Sequence, residues 1–253
     1  MPVKLVITGC GGRMGARIAQ LALADHATAV AGAVEARGHR AVGQDLGALL
    51  GQPALGVRIT DDLDAALKSA DVLIEFTEPA ATVANVQAAS ALKKAVVIGT
   101  TGLTDAQAQA IRQAAARVPI VWSPNMSIGV NVLFELAKLA AQRLGPAYDV
   151  EVVEAHHRAK KDAPSGTAKR LVEVIAQARQ VPAASIPAHA IRAGDIVGDH
   201  TVVLAGPAER LELTHRAHSR DVFAGGALRA ARWVVGQPPG LYDMSHVLLN
   251  GVK

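Results

Sequence analysis

The chain has 253 residues, 50% of them hydrophobic and 19% charged, enough apolar material for a compact globular protein of one large or two modest domains. No apolar run is long enough to span a bilayer and the N-terminus carries no signal-peptide pattern, so no membrane role and a cytoplasmic location are expected. A single cysteine, Cys10, excludes an internal disulfide and a thiolate metal cluster, and a net charge of only +4 favours small anions as ligands over nucleic acid.

In chain order, the first element is a strand, "VKLVITG", that runs into "CGGRMGARIAQ" and a helix. Glycines stand at 9, 11, 12 and 15; Gly9, Gly12 and Gly15 form G-x-x-G-x-x-G, a variant of the dinucleotide fingerprint. Such glycines permit a tight turn and a close backbone approach to a pyrophosphate, with the helix N-terminus adding partial positive charge. A second strand, "TAVAGAVE", ends in Glu35, placed to accept hydrogen bonds from adenosine ribose hydroxyls. "DVLIEFT", "AVVIGTTG" and "PIVWSPN" follow, each trailed by a helical stretch, which predicts a parallel sheet wound on both faces. The small and polar residues after two of these strands, in "VIGTTG" and "WSPNMSIG", are expected to border the nicotinamide half of a cofactor, although the same residues are ordinary turn chemistry.

After Asn125 the texture changes. An amphipathic stretch over roughly 130–144 leads to "YDVEVVEAHH", a helix after Ser165, and then "AHAIRAG", "HTVVLAG" and "RLELTHRAH" in close succession, which predicts a second, α+β domain with an antiparallel or mixed sheet. "GGALRAARWVVG" reads as a helix returning to the first domain. The predicted fold is thus α/β: a Rossmann-like domain over 1–127, joined by 220–253, and a second domain over 128–219.

The most reactive segment is "EAHHRAKKDAPSGTA". Ser165, Gly166 and Thr167 open a helix, where amides and hydroxyls hold a carboxylate, while His156, His157 and Lys160 or Lys161 add positive charge and mobile protons. The ensemble suits a small dicarboxylate. Adjacent histidines on a strand point to opposite faces, so one of them is as readily structural. They do not converge on one ion and no Asp, Glu or Cys set completes a shell, so no metal is expected.

Taken in order, "GCGGRMG", "DVLIEFTEPAAT", "VVIGTTG", "NMSIGVNV", "EAHHRAKKDAPSGTA", "RAGDIVGDH" and "LELTHRAHSRDVFAGGALRAARW" resemble the signature blocks of the 4-hydroxy-tetrahydrodipicolinate reductase family of diaminopimelate and lysine biosynthesis, across nearly the whole chain. The resemblance implies an oxidoreductase using NADH or NADPH. It implies proton transfer by His156 and Lys160, and substrate binding by His157, Ser165, Gly166 and Thr167. Cofactor contacts would fall on Gly9, Cys10, Gly11, Gly12, Arg13, Met14, Glu35, Gly99, Thr100, Thr101, Ser123, Pro124, Asn125 and Met126. It further implies a homotetramer built through the second-domain sheets, and closure of one domain on the other. Two departures stand out: Glu75 where members commonly carry Asp, and "QVPAASIPAHAI" where many carry a longer insert. Two rival readings are another two-domain dehydrogenase, such as one acting on aspartate, and an NAD(H)-sensing regulator. The first does not explain the His-His-Arg-x-Lys block, and no DNA-reading helix-turn-helix supports the second.

Overall fold

The computed structural model describes residues 1–249. The first half alternates β1 (Val3–Thr8), α1 (Arg13–Ala24), β2 (Thr28–Val34), α2 (Leu46–Leu49), β3 (Ile59–Thr60), α3 (Leu63–Leu67), β4 (Val72–Glu75), α4 (Pro79–Ala91), β5 (Ala95–Ile98), α5 (Asp105–Ala115) and β6 (Pro119–Trp122). Then come α6 (Ile128–Leu144), β7 (Asp149–His156), α7 (Gly166–Arg179), β8 (Ala188–Arg192), β9 (Asp199–Ala205) and β10 (Arg210–Arg216), before α8 (Asp221–Val234), β11 (Gly240–Tyr242) and α9 (Met244–Leu249). These elements form two compact units, Met1–Met126 with the segment from Phe223, and Ser127–Val222. Residues 250–253, part of the segment expected to return to the first domain, lie outside the described residues. Among the described residues no helix is long and apolar enough to cross a membrane.

The first unit is a doubly wound, Rossmann-like layer. Its seven strands run in the order β11-β6-β5-β4-β1-β2-β3 and every pairing is parallel, so the strand ends at Thr8, Val34, Glu75, Ile98 and Trp122 share one edge. With helices on both faces the central strands bury completely, as β4 and β5 do at every residue. Helix α1 shows why sequence and packing agree: its buried residues Gly15, Ile18, Ala19 and Ala22 recur at i, i+3, i+4 and i+7. Gly15 is required there, because a Cβ would lie 2.1 Å from the Gly9 carbonyl oxygen. The edge strand β11 has no β-branched run to announce it; Gly240–Tyr242 is a strand because β6 offers it a parallel partner.

The second unit carries a mixed sheet in the order β10-β9-β7-β8, with β7 and β8 parallel and the other pairs antiparallel. Along β7 the residues Val150, Val152, Glu154 and His156 are buried in alternation. The first two join Val202, Leu204 and the apolar faces of α6 (Leu133, Phe134) and α7 (Leu171, Ile175) in one core. The same row ends in a carboxylate and an imidazole. Helix α6 begins at Ser127, whose hydroxyl accepts the Val130 N–H (3.3 Å), and stops at Gly145 in the left-handed region (φ 65°). The connection from α7 to β8 contains only the short 3₁₀ turn Ala183–Ser185.

Candidate active site

The shared edge of the first unit collects the residues expected to hold a dinucleotide. Gly9 turns the chain out of β1 with φ 64°, and its carbonyl accepts the Gly12 N–H (2.9 Å). Gly12 then caps α1 with no side-chain hydrogen bond, and no acid occupies the first turn. The positive end of a twelve-residue helix is therefore left uncompensated by its own sequence, behind a loop of small residues. That arrangement fits a pyrophosphate. Arg13 is exposed beside it, whereas Cys10 is fully buried and its thiol is pushed up to about 12, first by burial and then by Glu35. No part of Cys10 is exposed, and its N–H is directed at the Val34 carbonyl (3.5 Å), so its place in the loop is structural.

Glu35 lies at the end of β2 and reaches back to the loop: Oε1 accepts the Gly11 N–H (2.6 Å), Oε2 accepts the Ala36 N–H (3.2 Å), and His39 Nδ1 stands 4.0 Å from Oε2. A cation two residues beyond Glu35, Arg37, is exposed and borders a shallow depression with Asp61, Asp62 and Asp64. On the other side of β1, the Gly99 N–H is held by the Glu75 carbonyl (3.0 Å), and the Phe76 ring fills the place of a Gly99 side chain. Thr101 is exposed, while Thr100 is buried with its hydroxyl 2.8 Å from that of Thr82. After β6, the Ser123 hydroxyl donates to the Asn125 carbonyl (2.9 Å), fixing the turn that contains Pro124. Met126 is buried, and its carbonyl packs where only Gly226 of α8 leaves room.

In the second unit His156 ends β7, and Ser165, Gly166 and Thr167 open α7. Two residues not singled out in the sequence join them. Glu154, fully buried, accepts from His156 Nδ1 (2.5 Å), from the Ser165 N–H (3.1 Å) and from both terminal nitrogens of Arg192 (2.9 and 2.7 Å). Arg192 also donates to the Asp162 carbonyl (2.6 Å), and Asp162 pairs with Lys160 Nζ at 2.7 Å. One carboxylate therefore ties strand, loop and helix together. His157 contributes its carbonyl, which accepts the Lys160 N–H (3.0 Å), and Lys161 is exposed.

The electrostatics follow from burial. For Glu154 burial works upward, but hydrogen bonds from Arg192, His156 and Ser165 outweigh it and hold the carboxyl below its usual range. His156 is pushed below the ordinary histidine range by burial, against the opposing pull of Glu154. Nδ1 is engaged by the carboxylate, which fixes the ring and leaves Nε2 outside that hydrogen bond. His200, edge-on to His156 at 5.2 Å between ring centroids and 3.3 Å from the Ser165 hydroxyl, is pushed down to about 3 by burial and then by His156. It stays neutral and adds no charge to the cluster. The signal for Glu154 was present in the sequence, since residues i and i+2 of a strand share a face; Arg192 was not legible, because its place beside His156 depends on the β7–β8 register.

Comparisons with known proteins agree over nearly the whole chain. The family model described as "Dihydrodipicolinate reductase, N-terminus" matches residues 3–126, and its C-terminal counterpart matches residues 129–248. A protein of Anaeromyxobacter dehalogenans named 4-hydroxy-tetrahydrodipicolinate reductase is 51% identical over 269 residues, covering 99% of each chain. One of the same name from Syntrophus aciditrophicus is 46% identical, covering 97% of this chain and 98% of its own. Among solved structures, a dipicolinate-bound dihydrodipicolinate reductase from Paenisporosarcina sp. TG-14 superposes with a TM-score of 0.81 at 25% identity, covering 96% of this chain and 98% of its own.

Proposed function

The chain belongs to the dihydrodipicolinate reductase family, and from that premise we propose how its residues divide the work. Its activity is the NAD(P)H-dependent reduction of 4-hydroxy-tetrahydrodipicolinate to tetrahydrodipicolinate in diaminopimelate and lysine biosynthesis. The first unit is the dinucleotide-binding domain: Gly9–Met14 cradle the pyrophosphate, Glu35 serves the adenosine ribose, and Gly99–Thr101 with Ser123–Met126 border the nicotinamide. When bound, the dinucleotide supplies the hydride.

The second unit binds the small dicarboxylate. A carboxylate of the substrate sits at the start of α7, against Ser165, Gly166 and Thr167, with His157 beside it. Lys160 and His156 neutralise charge and manage the proton, His156 through Nε2. The observation that carries this reading is the Glu154 cluster, which holds the proton-transfer imidazole and the anion-binding helix start on a single buried carboxylate. The dipicolinate held by the Paenisporosarcina relative is a planar dicarboxylate of the class proposed. The exposed face of the β7–β10 sheet is proposed to join copies into a homotetramer, and the enzyme to act in the cytoplasm, where reduced dinucleotides are available.

Titration with dipicolinate tests the substrate site. Thr167→Val keeps the shape and removes a donor, so affinity for the dicarboxylate should fall by about 1.5–3 kcal/mol, roughly ten- to 150-fold. Unchanged affinity would mean that the anion site is elsewhere.

Cofactor choice has its own expectation. A 2′-phosphate on the adenosine ribose would meet the Glu35 carboxylate, and Arg37 already stands among Asp61, Asp62 and Asp64. Both cofactors are used, with NADH at least as good by kcat/KM. Arg37→Ala should lower kcat/KM for NADPH by about 1 kcal/mol, roughly fivefold, and leave NADH unchanged. Steady-state kinetics at fixed ionic strength check this, and a strong preference for NADPH would show that Glu35 does not face the ribose.

A further inference from the structure

The end of β4 carries a buried carboxyl group that the mechanism does not use. Glu75 is 0% exposed. Its Oε2 accepts from the Thr8 hydroxyl (2.6 Å) and from Asn85 Nδ2 (2.7 Å). Its Oε1 accepts from the Thr77 N–H (2.9 Å), the Thr77 hydroxyl and the Thr82 hydroxyl (3.2 Å). These partners are neutral, and they come from three different places: the end of β1, the loop after β4, and the first two turns of α4. Thr82 passes the connection on to Thr100 after β5 (2.8 Å between hydroxyls), and the Glu75 carbonyl holds the Gly99 N–H (3.0 Å).

Three of the anchored residues, Thr8, Thr77 and Thr82, adjoin loops assigned to the dinucleotide. Thr8 directly precedes Gly9. Thr77 packs so close to Gly9 that a Cβ there would lie 3.1 Å from its methyl group, and the Phe76 ring takes the space above Gly99. A parallel sheet holds its strands in register, but not the loops beyond their ends. At this edge one side chain, that of Glu75, bonds to the end of β1, the loop after β4 and α4 together, beside the backbone bond to Gly99.

We infer that Glu75 is a positioning residue for the dinucleotide: it sets the glycine loop and the Gly99–Thr101 loop at a fixed separation without touching the ligand. The inference rests on the reading that the first unit binds the reduced dinucleotide. It has a consequence that a merely stabilising network lacks. A ligand that engages one loop does not depend on the separation, whereas a ligand that bridges both does, because misplacement removes the advantage of linking the two halves.

The experiment compares wild type, Glu75→Gln and Glu75→Asp by calorimetric titration with NADH and with two fragments, ADP and reduced nicotinamide mononucleotide. Gln keeps the shape but sets an NH₂ among donors; Asp keeps both acceptors on a shorter arm. For Glu75→Gln the Kd of NADH should rise roughly tenfold or more while each fragment stays within about twofold, and Glu75→Asp should restore part of the NADH affinity. The core variant Val86→Ala, at a fully buried site on α4, controls for general loosening: it should lower the melting temperature and leave the NADH Kd unchanged. If Glu75→Gln does not fold, Glu75→Asp provides the same comparison at about threefold on NADH. Equal losses on NADH and on both fragments, or no loss at all, would overturn the inference. Wild-type protein that bound no NADH would instead overturn the reading beneath it.

Discussion

Replacing Lys160 by alanine lowers kcat by ~100- to 10,000-fold, the range that a positioned proton-transfer group supplies, and leaves the NADH dissociation constant unchanged. The split is expected because Lys160 belongs to the second unit, where its ammonium is paired with Asp162 at 2.7 Å and its side chain keeps 23% exposure. It is thus oriented by one carboxylate and still accessible to a ligand. The adjacent Lys161 is exposed and serves as the control; its alanine variant stays active. Single-turnover kinetics beside a cofactor titration separate the two quantities. Near-normal kcat in Lys160→Ala would remove the ammonium from the chemistry.

The second large effect is expected at Glu154, and it reaches both stability and rate. Glu154→Gln removes the charged partner of the Arg192 guanidinium and leaves it only neutral acceptors; breaking a buried pair costs about 3–5 kcal/mol, and the 18% exposure of the Arg192 side chain brings this to about 2–3 kcal/mol. The pH dependence has a definite sign. The carboxyl of Glu154 is held below its ordinary value of 4.5, so its contribution to stability is complete above that pH and is lost as pH falls through the depressed folded value. Glu154→Gln should flatten acid unfolding in that window.

For the rate, Glu154 is the group that raises the pKa of His156 against burial, so its removal lowers that pKa further. The limb of the kcat profile that reports loss of the imidazolium should then move to lower pH. Glu154→Asp, which retains the charge, should restore the limb toward its original position. A profile unmoved in Glu154→Gln would show that His156 is not the titrating group.

The parts of this molecule that local pattern determines were legible in its sequence. A β-branched run, a glycine turn and an i, i+3, i+4, i+7 helix specify β1, the loop and α1 without help from elsewhere. The strand-rich second unit was legible for the same reason, since Val150 and Val152 alternate with outward residues on β7. What escaped depends on tertiary pairing. β11 exists through its partner β6, and Arg192 meets Glu154 only because β8 lies parallel to β7 with Arg192 opposite His156.

Glu75 shows the limit from the other side. The sequence marks it as an unusual acid near the cofactor loops. Only the fold shows that Thr8, Thr77, Thr82 and Asn85 converge on it from separate elements. Cys10 shows a limit within a motif, since membership of the glycine loop does not reveal that its side chain points into the core.

The dinucleotide site proposed in one unit and the dicarboxylate site proposed in the other serve one reduction. The most direct measurement follows the loss of reduced-nicotinamide absorbance while the hydroxylated substrate is generated enzymatically in the same cuvette. Oxidation of NADH should depend on both substrate supply and this protein, and dipicolinate should suppress it competitively. Folded protein that binds NADH and dipicolinate yet oxidises neither NADH nor NADPH under continuous substrate supply would contradict it, and would favour a nucleotide-sensing role without turnover.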